Sequence, residues 1–481
     1  MAAEIEVGER VPVLCVDMDG TLLRTDTLYE SVLVLLKRYP LQCLRAPFWL
    51  LGGKAHFKAQ VARHVHLSPR CLPFNEELLA YLKEQKEEGR TLVLATAANR
   101  RVAEAVAGSV GIFDEVIASD AERNLSGPNK AAALRERFGE KGFAYAANGE
   151  IDLSVWRDAA AAVIVNAGTR LRTAAEKLTL VEAEFPRKAE VTLPTLVRAI
   201  RVHQWIKNLL IFVPLVLAHE ITDISRVLAA LQAFFAFGLC ASSMYVFNDL
   251  MDLHADRRHP DKRHRPFASG ALSIQLGLAL VPVLLIAAFA VAAPLPAAVS
   301  LLLLVYMALT LLYSISLKRM VLLDVLILAG LYTLRIVVGT LAIEVPISYW
   351  LLAFSTFIFF SLAMVKRYSE LLALMDRNEE KSHGRGYVTQ DIELLGNLGA
   401  ASAYISVLVM ALYINDPAIT VAYTHSEWLW LVCPALLYWI SRIWLMAHRG
   451  LIHEDPVIYA VRDKASFVVA GIALFAIYMA L

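Results

Sequence analysis

Residues 248–266 read NDLMDLHADRRHPDKRHRP and lie between two long apolar stretches. The acids come first: Asp249, Asp252 and Asp256 follow the spacing i, i+3, i+7, which places all three on one face of a helix. Three like charges at the end of a membrane helix need a cation to hold them. Oxygen-only ligands suit Mg²⁺, which typically bridges protein carboxylates and substrate phosphates. The stretch therefore predicts a Mg²⁺ site for a diphosphate at a membrane surface.

Basic residues follow these acids directly. These basic residues are Lys262, Arg263 and Arg265. They can donate hydrogen bonds to the phosphate oxygens that the metal leaves free. Attraction to anionic lipid headgroups would explain basic residues in a membrane loop. It would not explain the three aspartates, because acids gain nothing from an anionic surface. A purely structural role of the aspartates is therefore disfavoured.

The composition of the 481-residue chain changes sharply near Val191. Before it, charged helical stretches alternate with short β-like runs, as in a soluble α/β domain. After it, the apolar stretches are long enough to cross a membrane. The pattern predicts nine spans, near residues 200–218, 227–247, 272–291, 295–315, 321–342, 348–365, 398–414, 428–446 and 464–481.

The charge of the loops predicts the orientation. With the N-terminus inside, the loops after the second, fourth, sixth and eighth spans hold 15 Lys and Arg residues, whereas the opposite loops hold only Arg226. This asymmetry follows the positive-inside rule. The first residues lack the apolar core of a secretion signal. We therefore expect the α/β domain and the polar motifs on the cytoplasmic face.

Further polar residues stand at the ends of spans on that same side, where they are candidates for binding a phosphate. They are Lys207, Asn208, Tyr313, Lys318, Lys366, Arg367 and Arg385. Arg335 differs, because it lies well inside the fifth span. An arginine at that depth needs a partner or a water-filled cavity, and Glu344 or a polar cavity could serve.

Residues 248–256, together with Tyr313-Ser314 and Lys318, resemble the UbiA superfamily of intramembrane prenyltransferases. Within it, residues 204–208 (QWIKN), 259–270 (HPDKRHRPFASG) and 455–463 (DPVIYAVRD) are similar to the decaprenyl-phosphate phosphoribosyltransferase branch. The resemblance covers roughly residues 195–481. Ordinary members carry a second DxxxD motif after the sixth span; here that loop has Lys366, Arg367 and Glu370 instead. A donor with an additional phosphate would favour this change.

The resemblance implies a multi-pass bacterial inner-membrane enzyme of cell-wall biosynthesis that transfers 5-phosphoribose from phosphoribosyl diphosphate to a polyprenyl phosphate. Asp249, Asp252 and Asp256 would hold Mg²⁺, Asn248 would orient a carboxylate or a ribose hydroxyl, and Lys262, Arg263 and Arg265 would neutralise the leaving diphosphate. Lys318, Lys366, Arg367 and Arg385 would hold the lipid phosphate or the ribose phosphate. The family allows a homo-oligomer such as a trimer. The alternatives are a conventional isoprenyl transferase and, outside the family, a transporter; nothing in the sequence suggests a nucleic-acid partner.

A second motif lies near the N-terminus, where the buried run Val13–Val16 ends in Asp17 and Asp19. A strand points residues two positions apart to the same side. One carboxylate can then attack a phosphoryl group while the other acts as acid and base, with Mg²⁺ between them.

This motif resembles the first motif of haloacid dehalogenase-like phosphatases. The resemblance implies that Thr96 supplies a hydroxyl, Lys130 neutralises phosphate, and Asp17, Asp19, Asn148 and Asp152 contribute to the metal site. The fourth motif departs from the pattern, because Ala147 and Asn148 replace Gly and Asp. The domain is therefore either an active phosphatase or a degenerate scaffolding or sensing domain.

The expected architecture is a Rossmann-type α/β domain at residues 1–175 with a helical cap at about 24–89. A charged linker at 176–194 leads to an all-α membrane bundle at 195–481. The unusually apolar run 48–54 is expected in the core of the cap, with contact to the bilayer as the alternative.

Overall fold

The computed structural model describes residues 11–186, 192–376, 385–416, 423–452 and 455–481. Part of the expected linker and of the loop after the sixth span lies outside these residues. The chain divides into two compact units: residues 1–200 with 246–280, and residues 201–245 with 281–481. The acid–base loop thus groups with the N-terminal unit. The domain boundaries expected at residues 175 and 195 stay a prediction.

The first unit is built on a six-stranded parallel sheet with the order β3-β2-β1-β4-β5-β6. Its central strands are continuous apolar runs because helices cover both faces. Leu14 and Val16 pack into one core cluster while Cys15 packs into another. The expected α/β class is confirmed. The strands are β1 Val13–Val16, β2 Thr91–Asn99, β3 Glu115–Ser119, β4 Ala144–Ala147, β5 Ala161–Val165 and β6 Leu180–Phe185.

Strand β6 lies inside the stretch 176–194, which the sequence predicted as a charged linker. Its acidic residues suggested a solvated segment, because the residues that pair with them lie far away in the chain and could not be recognised from the sequence. Glu182 forms an ion pair with Arg90 across 2.5 Å, and Glu184 lies 3.1 Å from Arg172. With these acids paired, β6 can close the edge of the sheet.

Five helices form the segment between β1 and β2, as expected of a helical cap. Helix α1 begins at Thr27 because the Asp26 side chain accepts hydrogen bonds from the N–H groups of Leu28 and Tyr29. These helices are α1 Thr27–Arg38, α2 Pro40–Cys43, α3 Ala46–Leu51, α4 Gly53–His64 and α5 Glu76–Glu87. The helices that follow are α6 Arg100–Val110, α7 Pro128–Phe138, α8 Leu153–Asp158, α9 Thr169–Glu176 and α10 Leu193–Ala199.

Helices dominate the rest of the described chain, in the order α11 Val213–Leu217, α12 Ile224–Met251, α13 Leu253–Arg258, α14 Ile274–Ala292, α15 Ala297–Ile315, α16 Leu323–Ala342, α17 Tyr349–Met375, α18 Ile392–Ile414, α19 Val432–His448, α20 Pro456–Arg462 and α21 Lys464–Ala480. Seven helices in the described ranges are long and apolar enough to cross a membrane. Two bent pairs, α10 with residues 202–217 and α20 with α21, raise the number to nine. The protein is thus a multi-pass membrane protein.

The first expected span is a broken one. Arg201 has a left-handed backbone (φ 52°), and a 3-10 helix at Val202–Phe212 follows it, so that the axis bends by 54°. This 3-10 helix lies against α16 at Gly339, where a Cβ atom would come within 2.0 Å of the carbonyl oxygen of Ile211. Only glycine permits this close approach of the two backbones.

Candidate active sites

The first site lies at the carboxyl edge of the parallel sheet, beyond β1. Lys130 Nζ donates to Asp17 Oδ1 across 2.6 Å. The carboxylate of Asp19 accepts from the N–H and the hydroxyl of Thr27 at 2.9 and 3.2 Å. Gly20 then turns the chain with φ of 78°, and a Cβ there would meet the Asn148 amide nitrogen at 2.3 Å. Glycine is therefore required between these groups.

A buried network connects the aspartate of β1 with the residues that follow β4. Lys130 Nζ also donates to the hydroxyl of Tyr145 at 2.6 Å, and that hydroxyl donates to Asp152 Oδ1 at 3.0 Å. Thr21 Oγ1 donates to Asn148 Oδ1 at 3.2 Å. Lys130 and Asp152 are each nearly inaccessible to solvent. Tyr145, which the sequence reasoning missed, thereby positions both.

Electrostatics in this network favour a bound cation. Burial, reinforced by Asp26 and Asp17, raises the pKa of Asp19 to about 8. Burial and then Asp17 raise the pKa of Asp152 to about 6. Burial by itself would lower the pKa of Lys130, but Asp17 and Asp152 outweigh it and raise that pKa. Four carboxylates, those of Asp17, Asp19, Asp26 and Asp152, therefore share the ammonium groups of Lys130 and Lys58. A divalent cation would compensate the surplus negative charge.

One cavity of about 630 Å³ joins all the expected phosphatase residues. Its lining includes Asp17, Asp19, Thr96, Lys130, Asn148 and Asp152. The cap adds Lys54 and Lys58, which sequence reasoning missed although their spacing of four places them on one face of α4. Lys58 Nζ donates to the Ala97 carbonyl at 2.6 Å and to Asn124 Oδ1 at 3.0 Å. The cavity is thus acidic at its base and basic at the cap.

The second site is the acid–base loop, also within the first unit. Arg265 Nη1 donates both to Asp249 Oδ1 at 3.0 Å and to Asp256 Oδ2 at 2.6 Å. Both carboxylates are buried, with exposed fractions of 3% and 4%. They therefore converge on one cationic nitrogen, and their oxygens fit the donor set of Mg²⁺.

Asp252 does not join the other two aspartates, which differs from the expected single helical face. Helix α12 ends at Met251, and Asp252 stands between it and α13 with ψ of 10°. Its carboxylate lies 2.6 Å from Lys37 Nζ of the cap. Within the described ranges, no set of three or more His, Cys, Asp or Glu side chains is assembled as for a metal ion.

The other basic residues of the loop differ in exposure. Lys262 and Arg263 are exposed, and Arg263 Nε contacts His264 at 3.2 Å. Arg257, which was not singled out, has a side chain that is only 7% exposed. Its guanidinium donates to Glu30 of α1 at 2.6 Å and to the Cys71 carbonyl at 3.2 Å. A buried charge pair of this kind fixes the loop against the cap.

A cationic cluster surrounds Asp455 in the second unit. Its carboxylate accepts from Lys207 at 2.9 Å, from Lys366 at 3.1 Å and from the Tyr332 hydroxyl at 2.9 Å. Asp455 also caps α20 through the N–H of Val457. Two expected phosphate-binding lysines are thus brought together, with one acid between them.

Arg367 is buried in a different cluster of the same unit. Its Nε donates to Asp324 at 2.7 Å, and Asp324 also accepts from the Tyr387 hydroxyl at 2.5 Å. Tyr313 lies 3.2 Å from Arg367, and Glu370 pairs with both Arg367 and Arg385. Since its guanidinium already has these partners, the geometry fits a supporting role. Lys318 is partly exposed.

The partner of Arg335 is neither of the two that the sequence suggested. Its Nε donates to Asn208 Oδ1 at 3.0 Å, and its guanidinium lies over the rings of Phe237, Tyr306 and Tyr332 at 4.7 to 5.5 Å. Its Nη1 also donates to the carbonyl of Leu331. Cation–π contacts, one amide and one backbone carbonyl therefore satisfy this buried charge.

Comparison with known families also divides the chain into two parts, but it assigns residues 246–280 to the membrane part. Residues 209–457 match the UbiA prenyltransferase family, and residues 14–156 match the haloacid dehalogenase-like hydrolases. An uncharacterised protein of Sinorhizobium fredii, y4nM, is 36% identical over 98% of this chain and 91% of its own length. The decaprenyl-phosphate phosphoribosyltransferase of Mycolicibacterium smegmatis is 35% identical over 37% of this chain and 57% of its own length.

A solved UbiA homolog from Archaeoglobus fulgidus, bound to DMAPP and Mg²⁺, covers 59% of this chain and 98% of its own at 16% identity and a TM-score of 0.46. The UbiA family model spans just over half of the chain, in agreement with the motif at residues 248–256 and with the membrane helices. The chain is therefore a member of the UbiA prenyltransferase family that carries an N-terminal haloacid dehalogenase-like domain.

Proposed function

We propose that the membrane part transfers 5-phosphoribose from phosphoribosyl diphosphate to a polyprenyl phosphate at the cytoplasmic face of a bacterial inner membrane. The observation that carries this proposal is the convergence of Asp249 and Asp256 on one nitrogen of Arg265. Such a pair, followed by Lys262 and Arg263, fits a diphosphate and its cation. Similarity to mycobacterial phosphoribosyltransferases supports the pentosyl donor.

The reaction needs little proton transfer. An oxygen of the lipid phosphate, already anionic at neutral pH, attacks the anomeric carbon of the ribose while the bond from that carbon to the diphosphate oxygen breaks. Asp249, Asp256 and, once released from Lys37, Asp252 would hold Mg²⁺, which supplies positive charge to the leaving diphosphate. Arg265 can turn from the carboxylates to the diphosphate and stabilise the same charge.

The basic residues of the second unit are candidates for the remaining phosphate. The strongest candidates are Lys207 and Lys366. Both ammonium groups pair with the one carboxylate of Asp455, so that a net positive charge is left for a phosphate. We assign them to a substrate phosphate, either of the lipid or at the 5-position of the ribose. Arg367 and Arg385 then support them indirectly, through Asp324 and Glu370.

For the N-terminal domain we propose removal of the 5-phosphate from the lipid product. Asp17 attacks the phosphorus atom, and the ribose 5-oxygen leaves with a proton from Asp19. Water then cleaves the aspartyl phosphate, with Asp19 taking up the proton and Lys130 neutralising the phosphoryl oxygens. Asp17, Asn148 and Asp152 would hold Mg²⁺ in this site. The intact network around Lys130 favours activity over a degenerate role.

The first test incubates the purified chain with Mg²⁺, radiolabelled phosphoribosyl diphosphate and a polyprenyl phosphate. We expect radiolabel in the organic phase. The Asp249→Asn variant should transfer at least 100-fold less radiolabel, and the Asp261→Asn variant should transfer as much as the parent chain. Asp261 is a suitable control because it lies in the same loop with its side chain 86% exposed. Consumption of an isoprenyl diphosphate in place of the ribosyl donor would overturn the proposal in favour of conventional prenyl transfer.

A further inference from the structure

The outer side of the cap carries a row of exposed apolar side chains. Leu41, Leu44, Phe48 and Leu51 are between 71% and 86% exposed. Their spacing of three, four and three residues is that of an apolar stripe, which here runs across the two short helices α2 and α3 and the residues between them. On the inner side of the same helices, Cys43 and Trp49 pack against Leu35, Val61 and Val65. The fold of the cap therefore explains the inner side and leaves the outer stripe without a partner in the described chain.

The charge around this stripe selects an anionic partner. Residues 31–75 contain seven Lys and Arg residues and no Asp or Glu, whereas the whole chain has a net charge of only +1. Arg38, Arg45 and Lys54, which flank or interrupt the stripe, are exposed. Exposed apolar side chains bordered by basic ones are typical of helices that lie in the interface of an anionic bilayer.

The position of the stripe within the first unit agrees with a bilayer. Lys37 Nζ donates to the carbonyl of Met251, the last residue of the membrane-length helix α12, at 2.9 Å. The stripe begins four residues after Lys37. The cap is thus attached to the end of a membrane helix at the point where its apolar stripe starts.

We propose that residues 39–54 of the cap dock onto the surface of an anionic lipid bilayer. The proposed phosphatase cavity lies beneath this segment, because Leu50, Lys54 and Phe57 line it together with Asp17 and Leu278 of α14. A second part of the proposal rests on the proposed function of that cavity. The substrates of the cavity are phosphomonoesters of membrane lipids, and they enter it from the bilayer along the cap. The docking itself does not depend on phosphatase activity.

The test uses the full chain in nanodiscs of phosphatidylcholine and phosphatidylglycerol. A Leu51→Cys variant, in a Cys43→Ser background, carries an environment-sensitive fluorophore; the other native cysteines are buried. A label at Glu87→Cys, exposed at the end of α5, is the matched control. We expect brominated lipids to quench the label at residue 51 at least twofold more strongly than the label at residue 87. Equal quenching of the two labels would overturn the proposal. Weak quenching at residue 51 because a second copy of the chain covers the label would overturn it as well.

The effect on substrates separates docking from catalysis. We expect Phe48→Ser with Leu51→Ser to lower the hydrolysis of a lipid-linked phosphomonoester about tenfold and to leave p-nitrophenyl phosphate hydrolysis within twofold. If both rates fall, the charge reversals Arg38→Glu and Arg45→Glu, both at exposed positions outside the cavity lining, repeat the comparison. Equal losses there too would overturn the lipid route. A chain without phosphatase activity whose label at residue 51 is still quenched would refute the proposed activity and support docking.

Discussion

Lys37 Nζ of the cap lies 2.6 Å from Oδ1 of Asp252, the middle acid of the motif that defines the transferase loop. Both side chains are about one-third exposed. The pair is therefore worth little in stability, on the order of 0.2–1 kcal/mol. Its effect on a cation that needs the same carboxylate is more important.

Replacing Lys37 with Gln should increase the apparent Mg²⁺ affinity of the transferase. An ammonium group that binds Asp252 competes with the metal, and removing it should lower the half-saturating Mg²⁺ concentration about two- to fivefold, the equivalent of one such ion pair. The measurement is phosphoribosyl transfer as a function of Mg²⁺ concentration. Arg38→Gln, one residue further on, is the control. An unchanged Mg²⁺ dependence in the Lys37 variant would show that the pair does not compete.

Replacing Glu30 with Gln should destabilise the first unit. Glu30 is 1% exposed and accepts from Thr25 at 2.7 Å and from the buried guanidinium of Arg257 at 2.6 Å. Removing one member of a buried charge pair costs about 3–5 kcal/mol, so the apparent unfolding temperature should fall by at least about 5 °C. A thermal scan of the full chain measures it. The exposed Glu104→Gln should unfold like the parent chain, and a similar temperature for both variants would contradict this role.

Replacing Asp324 with Asn should destabilise the second unit by a comparable amount. Asp324 is fully buried and faces Arg367, which is 1% exposed. Tyr387→Phe leaves the ion pair of Asp324 and Arg367 intact and removes the hydroxyl that donates to Asp324 and accepts from the N–H of Leu322. It should cost less, about 1.5–3 kcal/mol. Size-exclusion chromatography of heated samples measures the fraction of protein that stays monodisperse, and this fraction ranks the stability of the two variants. Exposed Glu393→Gln serves as the control, and a larger loss for Tyr387→Phe than for Asp324→Asn would reverse the assignment.

Restoring a carboxylate with Asn148→Asp should strengthen Mg²⁺ binding by the phosphatase. The additional negative charge adds to the field of Asp17 and Asp152, and we expect the half-saturating Mg²⁺ concentration for phosphatase turnover to fall about threefold or more, equivalent to about 0.7 kcal/mol. Asn129→Asp, at an exposed position of α7, controls for charge alone. A higher half-saturating Mg²⁺ concentration or lost turnover in Asn148→Asp would show that the amide N–H₂ group is required, since a carboxylate can accept from Thr21 but cannot donate.

The parts of this molecule that follow from local rules could be predicted from the sequence. Parallel strands bring their carboxyl ends to one edge, which groups Asp17 with Thr96, while Lys130 and Asp152 followed from the resemblance to haloacid dehalogenase-like phosphatases. Apolar length similarly predicted the membrane helices, since seven to nine candidate spans are present in the described chain.

Partners that are far apart in the sequence could not be predicted. The spacing of Asp249, Asp252 and Asp256 indicated one helical face, but the helix breaks at Asp252, which pairs with a lysine 215 positions away. Periodicity says nothing about such a contact. For the same reason Glu182 and Glu184 suggested a linker, because the arginines that permit strand β6 lie in other elements.

The grouping of residues 246–280 with the sheet has a consequence for biosynthesis. A chain that grows from its N-terminus makes the cap long before it makes Arg257. Until that residue emerges, Glu30 has no guanidinium partner, and the first two candidate spans are made before it. Ribosome-arrested chains that end before and after residue 280 should differ in the protease resistance of the cap. Completion of the first unit thus waits for the synthesis of residues 246–280, and an α/β domain made without them would lack the partner of Glu30.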